Sequence, residues 1–155
     1  MTIDDLKGLM DEFDPATLLP ELGSLTEKIA PVMRWAVVIG PIILLVMGLL
    51  YLLAPPKEAN YYFGYRCWFG MGSVDAWRFT QRLAGIAWSG LGLVLAVVMW
   101  FQSGRLAGME MMDMLRTAGK CVIWEAALVA VSILAINVAT AIRFDSKGEL
   151  RKEKE

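Results

Sequence analysis

The run WAVVIGPIILLVMGLLYLLA, residues 35–54, contains twenty consecutive residues without a charged side chain. As a helix, a run of this length crosses the ~30 Å hydrocarbon core of a bilayer. Two further runs share this character, residues 83–103 and 121–142, and Glu125 is the one charged residue inside them. The sequence therefore predicts an all-α integral membrane protein with three transmembrane helices, at about residues 34–54, 82–103 and 119–142.

The composition of the chain argues against several classes of function. Of its 155 residues 57% are hydrophobic, and there is no histidine, so the commonest general base and the commonest transition-metal ligand are both missing. We therefore expect no catalytic residue, no metal and no cofactor, and a protein that is not an enzyme. The net charge of −1 gives no indication of nucleic acid as a partner.

The regions outside the apolar runs divide the chain into three parts. Residues 1–31 form an acidic segment, whose beginning predicts a short amphipathic helix because Ile3, Leu6, Met10 and Phe13 recur on one helical face. Residues 32–142 form the membrane domain. Residues 143–155 form a charged tail that we expect to be solvated.

One face of the second span carries small residues at helical spacing. Gly85, Ser89, Gly92 and Ala96 recur every three or four positions, which lets another helix approach closely. We interpret this face as a seam for helix packing within the chain. It would also permit a homo-oligomer.

The distribution of basic residues predicts the orientation in the membrane. Three spans place six of the 15 lysines and arginines on the N-terminal side and nine on the side of the first loop and the tail. Cytoplasmic segments carry the excess of positive charge. The first loop and the C-terminus are therefore predicted to be cytoplasmic and the N-terminus outside, with membrane lipid as the surrounding partner.

The loop between the first two spans contains a patterned segment, NYYFGYRCWFGMGSVDAWRFTQRLAG, residues 60–85. Two of its four glycines, Gly64 and Gly70, allow the backbone to fold back toward the membrane, and Ser73 can cap a helix that begins near Val74. Six polar and aromatic side chains of this segment are expected to gather in one place: Tyr65, Arg66, Trp77, Arg78, Gln81 and Arg82. The three arginines among them can bind a lipid phosphate, a peptide carboxylate or an acidic partner. Alternatively, the arginines pair with Glu58 and Asp75 and hold the loop shut.

This segment resembles the signature of the SdpI family of bacterial membrane proteins. In that family a motif of the form N-x-x-x-G-x-R-T leads to a tryptophan and then to an N-R-x-x-G-like run. The positions that match are Asn60, Gly64, Arg66, Trp77, Arg82 and Gly85, whereas Cys67, Gly70 and Gln81 depart from the pattern. The resemblance implies a protein of the bacterial plasma membrane that confers immunity to, or senses, a membrane-active toxin peptide, with a cytoplasmic protein as a further partner.

Two polar residues in the third span are also candidates. An ionisable group inside a membrane span is by default a functional candidate, so Glu125 is expected to handle an ion, a proton or a peptide, or else to pair with Arg34 in a structural role. Asn137 can hydrogen-bond across helices or support Arg82. Together, Glu125 and the arginines suggest an alternative function as a small transporter or an accessory subunit of a larger membrane complex.

Overall fold

Three long helices make up the computed structural model, which describes residues 15–59 and 62–151. They are α1 (Pro15–Leu53), α2 (Val74–Leu106) and α3 (Met111–Arg143), and a short 3-10 helix, Phe69–Met71, lies in the loop between α1 and α2. All three are long and apolar enough to cross a membrane, α1 through its Ser24–Leu53 portion. The prediction of an all-α membrane protein with three spans is confirmed. The predicted amphipathic helix near the N-terminus and Asn60 lie outside the described residues.

Each helix extends beyond the apolar run that predicted it. Helix α1 begins at Pro15, so it passes through the expected boundary between residues 31 and 32. Proline at the first helical position costs nothing, since its missing N–H would be unpaired there in any case. Helix α2 begins at Val74 because Ser73 caps it, its hydroxyl accepting the Ala76 N–H at 3.1 Å. Hydropathy thus finds the part of each helix that crosses lipid, and the Ser73 cap sets the polar start of α2.

Helices α1 and α2 pack closely along the small-residue face. A Cβ added at Gly85 would lie 2.7 Å from Leu52 Cγ, and one added at Gly92 would lie 2.7 Å from Leu45 Cα. Neither position has room for a side chain, so the two backbones approach as the spacing of small residues predicts. This face of α2 is therefore occupied within the protein by α1.

Helix α3 is less enclosed than the other two. Only 11% of its most apolar stretch is buried, compared with 28% in α1 and in α2. Large apolar side chains on all three helices point away from the core, among them Ile39, Ile43, Val94, Ile123 and Leu134. Such a surface suits a surrounding of lipid tails and would be unusual on a soluble protein. The looser fit of α3 leaves a groove between it and the α1–α2 pair.

The segment after α3 folds back as a tight turn. Phe144 and Leu150 form an isolated antiparallel bridge, and the Asp145 carboxylate accepts the N–H groups of Glu149 (2.8 Å) and Lys147 (2.9 Å). The Glu149 N–H is the main cause that lowers the pKa of Asp145. Phe144 is only 3% exposed. The expectation of a solvated tail is therefore wrong at Phe144, because its aromatic ring is buried.

A hydrogen bond joins this turn to the loop between α1 and α2. The Ser73 hydroxyl donates to the Gly148 carbonyl at 2.6 Å. Gly148 has a φ of +78°, a conformation that favours glycine, and a Cβ there would meet the Ser73 side chain at 2.8 Å. The loop and the C-terminal turn therefore lie at the same end of the bundle, which we call the loop end.

Candidate functional site

Two hydrogen bonds hold the loop against α2 at the loop end. The Tyr65 N–H donates to Gln81 Oε1 at 2.8 Å, and Gln81 Nε2 donates to the Tyr65 carbonyl at 2.7 Å. Gln81 is fully buried, and Tyr65 is 7% exposed. A primary amide is suited to this because it offers one acceptor and one donor side by side. Gln81 thus pairs with the loop backbone much as a neighbouring strand would.

Gly64 and Trp77 make this pairing geometrically feasible. Gly64 has a φ of +120°, and a Cβ on it would lie 2.7 Å from the Trp77 ring and 3.1 Å from Gln81 Oε1. The backbone therefore passes directly over the buried indole. Trp77 Nε1 in turn donates to the Pro56 carbonyl at 2.9 Å, so the indole ties the start of the loop to α2.

The Tyr65 side chain connects the loop to α3. Its hydroxyl donates to Asn137 Oδ1 at 2.9 Å and lies 3.2 Å from the Ile133 carbonyl. Burial, and to a smaller extent Cys67, raises the pKa of Tyr65 to about 12. The ring packs edge-on against Trp88 at 5.3 Å between centroids. Asn137 therefore accepts a hydrogen bond from the loop, whereas the predicted bond was to another helix or in support of Arg82.

Thr80, which the sequence analysis did not select, lies at the centre of the contacts among loop, α2 and α3. It is fully buried, and its hydroxyl lies 3.4 Å from that of Thr140 on α3. A Cβ on Gly70 would lie 2.6 Å from Thr80 Oγ1 and 2.9 Å from Cys67 Sγ. Two departures from the family pattern, Gly70 and Cys67, thus occur together where the loop packs on Thr80.

The three arginines of the segment are exposed, and two of them share a cavity. Arg78 and Arg82 line a cavity of about 520 Å³ together with Lys57 and the side of Tyr51. Arg66 does not line it. Of the three arginines expected to converge, Arg78 and Arg82 line this cavity, and Lys57 is the third cation in its lining. We call this space the basic cavity.

Ion pairs do not hold these arginines in the part of the chain that the structure describes. The ion pair found there joins Arg116 and Asp113, at 3.8 Å on the exposed start of α3. Within residues 62–151, Asp75 forms no ion pair with any of the three arginines. Hydrogen bonds of Gln81, Trp77 and Tyr65 hold the loop instead.

Glu125 lies in a different place from the basic cavity. Its side chain is 8% exposed and lines the groove between α3 and the α1–α2 pair. The pairing with Arg34 is not seen: Arg34 lines a separate cavity of about 140 Å³ beside Trp35 and Trp100. Glu125 and the signature segment therefore form two sites.

These features define a small multi-pass membrane protein with an ordered loop fixed at one end of a three-helix bundle. A sequence model of the SdpI/YfhL protein family matches residues 57–142, more than half of the chain, and the protein belongs to that family. The match begins at Lys57 and reaches nearly to the end of α3, so it includes the basic cavity's cations, Glu125 and Asn137. Comparisons with curated proteins and with solved structures give no match.

Lys57 and Thr80 belong to the site, but neither stands out in the sequence. In the sequence, Lys57 is one of the basic residues whose distribution predicts the orientation. Its place in the basic cavity depends on how residues 54–59 turn at the end of α1. Thr80 is an ordinary polar residue in an amphipathic stretch. A polar residue facing both the loop and α3 could have been suspected from its one-turn spacing to Trp77 and Ala84, which are buried.

Proposed function

We propose that this protein protects a bacterial cell against a membrane-active toxin peptide, or senses that peptide, by binding an anionic group of it in the basic cavity. The observation that carries the proposal is the lining of this cavity. Lys57, Arg78 and Arg82 contribute three positive charges, and none of the described residues that line the cavity carries a carboxylate. The immunity or sensing role is what the family signature implies, and it is a proposal for this chain.

The basic cavity has the chemistry to bind a carboxylate. Arg78 and Arg82 lie four residues apart on α2, so their side chains project from the same face. Guanidinium groups bind carboxylates through two parallel hydrogen bonds, and Lys57 adds a mobile point charge. At the membrane surface such pairs gain strength from the low dielectric of the nearby hydrocarbon.

The support behind the arginines is rigid, which favours binding. Trp77 and Gln81 precede Arg78 and Arg82 by one residue each, and both are fully buried. The hydrogen bonds of Trp77 and Gln81 to the loop fix the rotation of α2. The backbone positions that carry Arg78 and Arg82 are therefore fixed before a ligand arrives, which lowers the entropic cost of binding.

Orientation decides what reaches the basic cavity. The count of basic residues predicts that the loop end is cytoplasmic, where the cavity would meet a peptide already inserted in the membrane. An acidic surface of a cytoplasmic protein could dock at the same place. A lipid phosphate shares the chemistry of the carboxylate, so the experiment must separate lipid from peptide.

The test compares survival of cells under challenge with a membrane-permeabilising acidic peptide. Cells carry no protein, the wild type, an Arg78→Gln/Arg82→Gln double variant, or the control Arg116→Gln, all at matched abundance. Arg116 is an exposed arginine at the start of α3, outside the basic cavity. We expect protection by the wild type and the control, and at least a tenfold loss of protection in the double variant.

Peptide binding to the purified protein in zwitterionic nanodiscs completes the test. Binding that requires Arg78 and Arg82, and that anionic lipid only weakens by competition, identifies the peptide as the ligand. Equal survival of wild-type cells and cells without the protein across the peptides tried would count against an immunity role. Binding of anionic lipid alone would assign the cavity to lipid headgroups.

The alternative of a transporter or an accessory subunit that uses Glu125 together with the arginines has weaker support. The groove with Glu125 and the basic cavity share no lining residue. A single path through both sites would need further elements to join them. The groove is therefore considered by itself.

A further inference from the structure

A groove of about 540 Å³ runs between the three helices, on the side where α3 stands away from α1 and α2. Its volume lies within the range of small-molecule sites. The walls are apolar along most of their length, with Leu44 and Met47 from α1 and Val129 from α3. Its rim includes exposed residues such as Ile43 and Ala126, so the groove opens toward the lipid.

Glu125 places an unpartnered carboxyl group in this groove. Its side chain is more than nine-tenths buried, and its Oε1 has no hydrogen-bond partner among the described residues. Gly40 faces the carboxyl from α1, and a Cβ there would lie 3.1 Å from Oε2. The absence of a side chain at residue 40 therefore leaves the space that the carboxyl occupies.

The chemistry of the lining specifies the missing partner. A buried carboxyl without a hydrogen bond costs free energy, and a buried carboxylate without a countercharge costs more. Among the residues that the structure describes, no lysine or arginine lines the groove. A ligand that satisfies Glu125 must therefore bring an N–H donor, preferably a positively charged one, on an otherwise apolar body.

We propose that the groove binds a lipophilic primary amine from the membrane. The ammonium group donates a hydrogen bond to Glu125, and the hydrocarbon body lies along Leu44 and Met47 toward Trp88 and Ile133. The rise from Glu125 to Ile133 along α3 is about 12 Å, which is sufficient for a single alkyl chain. This site is independent of the basic cavity, and it binds a cation where the basic cavity binds an anion.

The ammonium can come from a free alkylamine or from the ethanolamine headgroup of a lipid. Both offer the same donor, but a free amine can place its whole chain in the groove, whereas a phospholipid also brings a phosphate. The two sources are separated by comparing nanodiscs with and without phosphatidylethanolamine. Loss of alkylamine binding in the presence of that lipid would identify the lipid as the natural occupant.

The test uses the full chain in phosphatidylcholine nanodiscs and 10-bromodecylamine as the probe. Its bromine quenches tryptophan fluorescence when it is close, and Trp88 lines the far part of the groove. We expect saturable quenching that is lost in Trp88→Phe and shifted at least tenfold to higher probe concentration in Glu125→Gln. Bromodecanol, which lacks the charge, should quench only in proportion to its concentration in the bilayer.

Two further variants make the result decisive. Ala126→Phe fills the open side of the groove and leaves Glu125 intact, so it should abolish saturable quenching even if Glu125→Gln folds poorly. Arg82→Gln should leave quenching unchanged, because Arg82 lines the other cavity. Equal quenching curves for the wild type and Glu125→Gln, or equal saturation by bromodecanol, would overturn the proposal. Failure of the toxin challenge would not affect this outcome.

Discussion

The backbone of Tyr65 and the side chain of Gln81 face each other across two hydrogen bonds, of 2.8 Å and 2.7 Å, in the interior of the loop end. This relationship makes the loop a fixed part of the bundle although it has almost no regular secondary structure. It also sets the positions of the residues around it. Arg66 follows Tyr65 in the loop, and Arg82 follows Gln81 on α2.

We predict that Gln81→Leu destabilises the protein by roughly 2–5 kcal/mol, because it leaves the N–H and the carbonyl of Tyr65 buried without partners. Gln81→Asn has a side chain one methylene shorter and should lose part of this pairing. Its free energy of unfolding should therefore lie between those of Gln81→Leu and the wild type. The free energy of unfolding in mixed micelles measures both. Gln102→Leu is the control, since Gln102 accepts a hydrogen bond from the exposed Arg105, at 3.4 Å. Equal stability of Gln81→Leu and the wild type would show that the amide pairing contributes nothing.

Replacement by alanine should change the stability of the protein in opposite directions at two glycines, Gly64 at the loop end and Gly90 in α2. Gly64→Ala forces a side chain into a backbone with φ of +120° and within 2.7 Å of the Trp77 ring, so it should cost about 2 kcal/mol or more. Gly90 faces open space in the middle of α2, and Gly90→Ala should stabilise the helix by up to ~1 kcal/mol. Thermal melting of the two variants in one detergent compares them. A neutral Gly64→Ala would mean that the loop moves away from Trp77 without cost.

Tyr65 should make the protein sensitive to alkaline pH. Its pKa is raised to about 12 in the folded protein from an ordinary value of 10.0, so the folded state keeps the proton that the unfolded state releases first. This contribution is complete below pH 10 and is lost as pH rises from 10 to 12, by roughly 2–3 kcal/mol. Tyr65→Phe should flatten the stability curve over that range.

The same variant should lower stability by ~1 kcal/mol at neutral pH, because it removes the hydrogen bond to Asn137. Phenolate absorbance near 295 nm, recorded for wild type and variant, gives the titration of residue 65 by difference. Titration of that residue near pH 10 would contradict the buried position of its hydroxyl.

The sequence is sufficient to predict the three spans because length and the absence of charge decide whether a helix can lie in lipid. It also locates the Ser73 cap, which depends on neighbouring residues alone. The partners of Thr80 and Asn137 could not be predicted, since they depend on the rotation of α3 against α2 and on where the loop folds back. Lys57 illustrates the same limit, because its position follows from the direction of the chain after Leu53.

The C-terminal turn shows what tertiary contact adds to a segment that is charged in sequence. Five charged residues surround Phe144 and Gly148 in the stretch from 143 to 151, and composition alone therefore indicates a solvated tail. Phe144 and Gly148 nevertheless decide the conformation of this turn. Phe144 packs beside Phe79, with 5.5 Å between ring centroids, and the Gly148 carbonyl accepts the Ser73 hydroxyl.

Ser73→Ala should detach this turn and weaken the start of α2 together. The hydroxyl both accepts the Ala76 N–H as a helix cap and donates to the Gly148 carbonyl, so its loss should cost about 1–2 kcal/mol. Trypsin cleavage at Lys147 in the intact protein measures the detachment, and we expect it to become several times faster. Ser146→Ala, at an exposed position of the same turn, is the matched control and should leave the rate unchanged. If both variants are cleaved at the wild-type rate, the contact with Ser73 does not hold the turn, and other contacts such as the packing of Phe144 on Phe79 hold it.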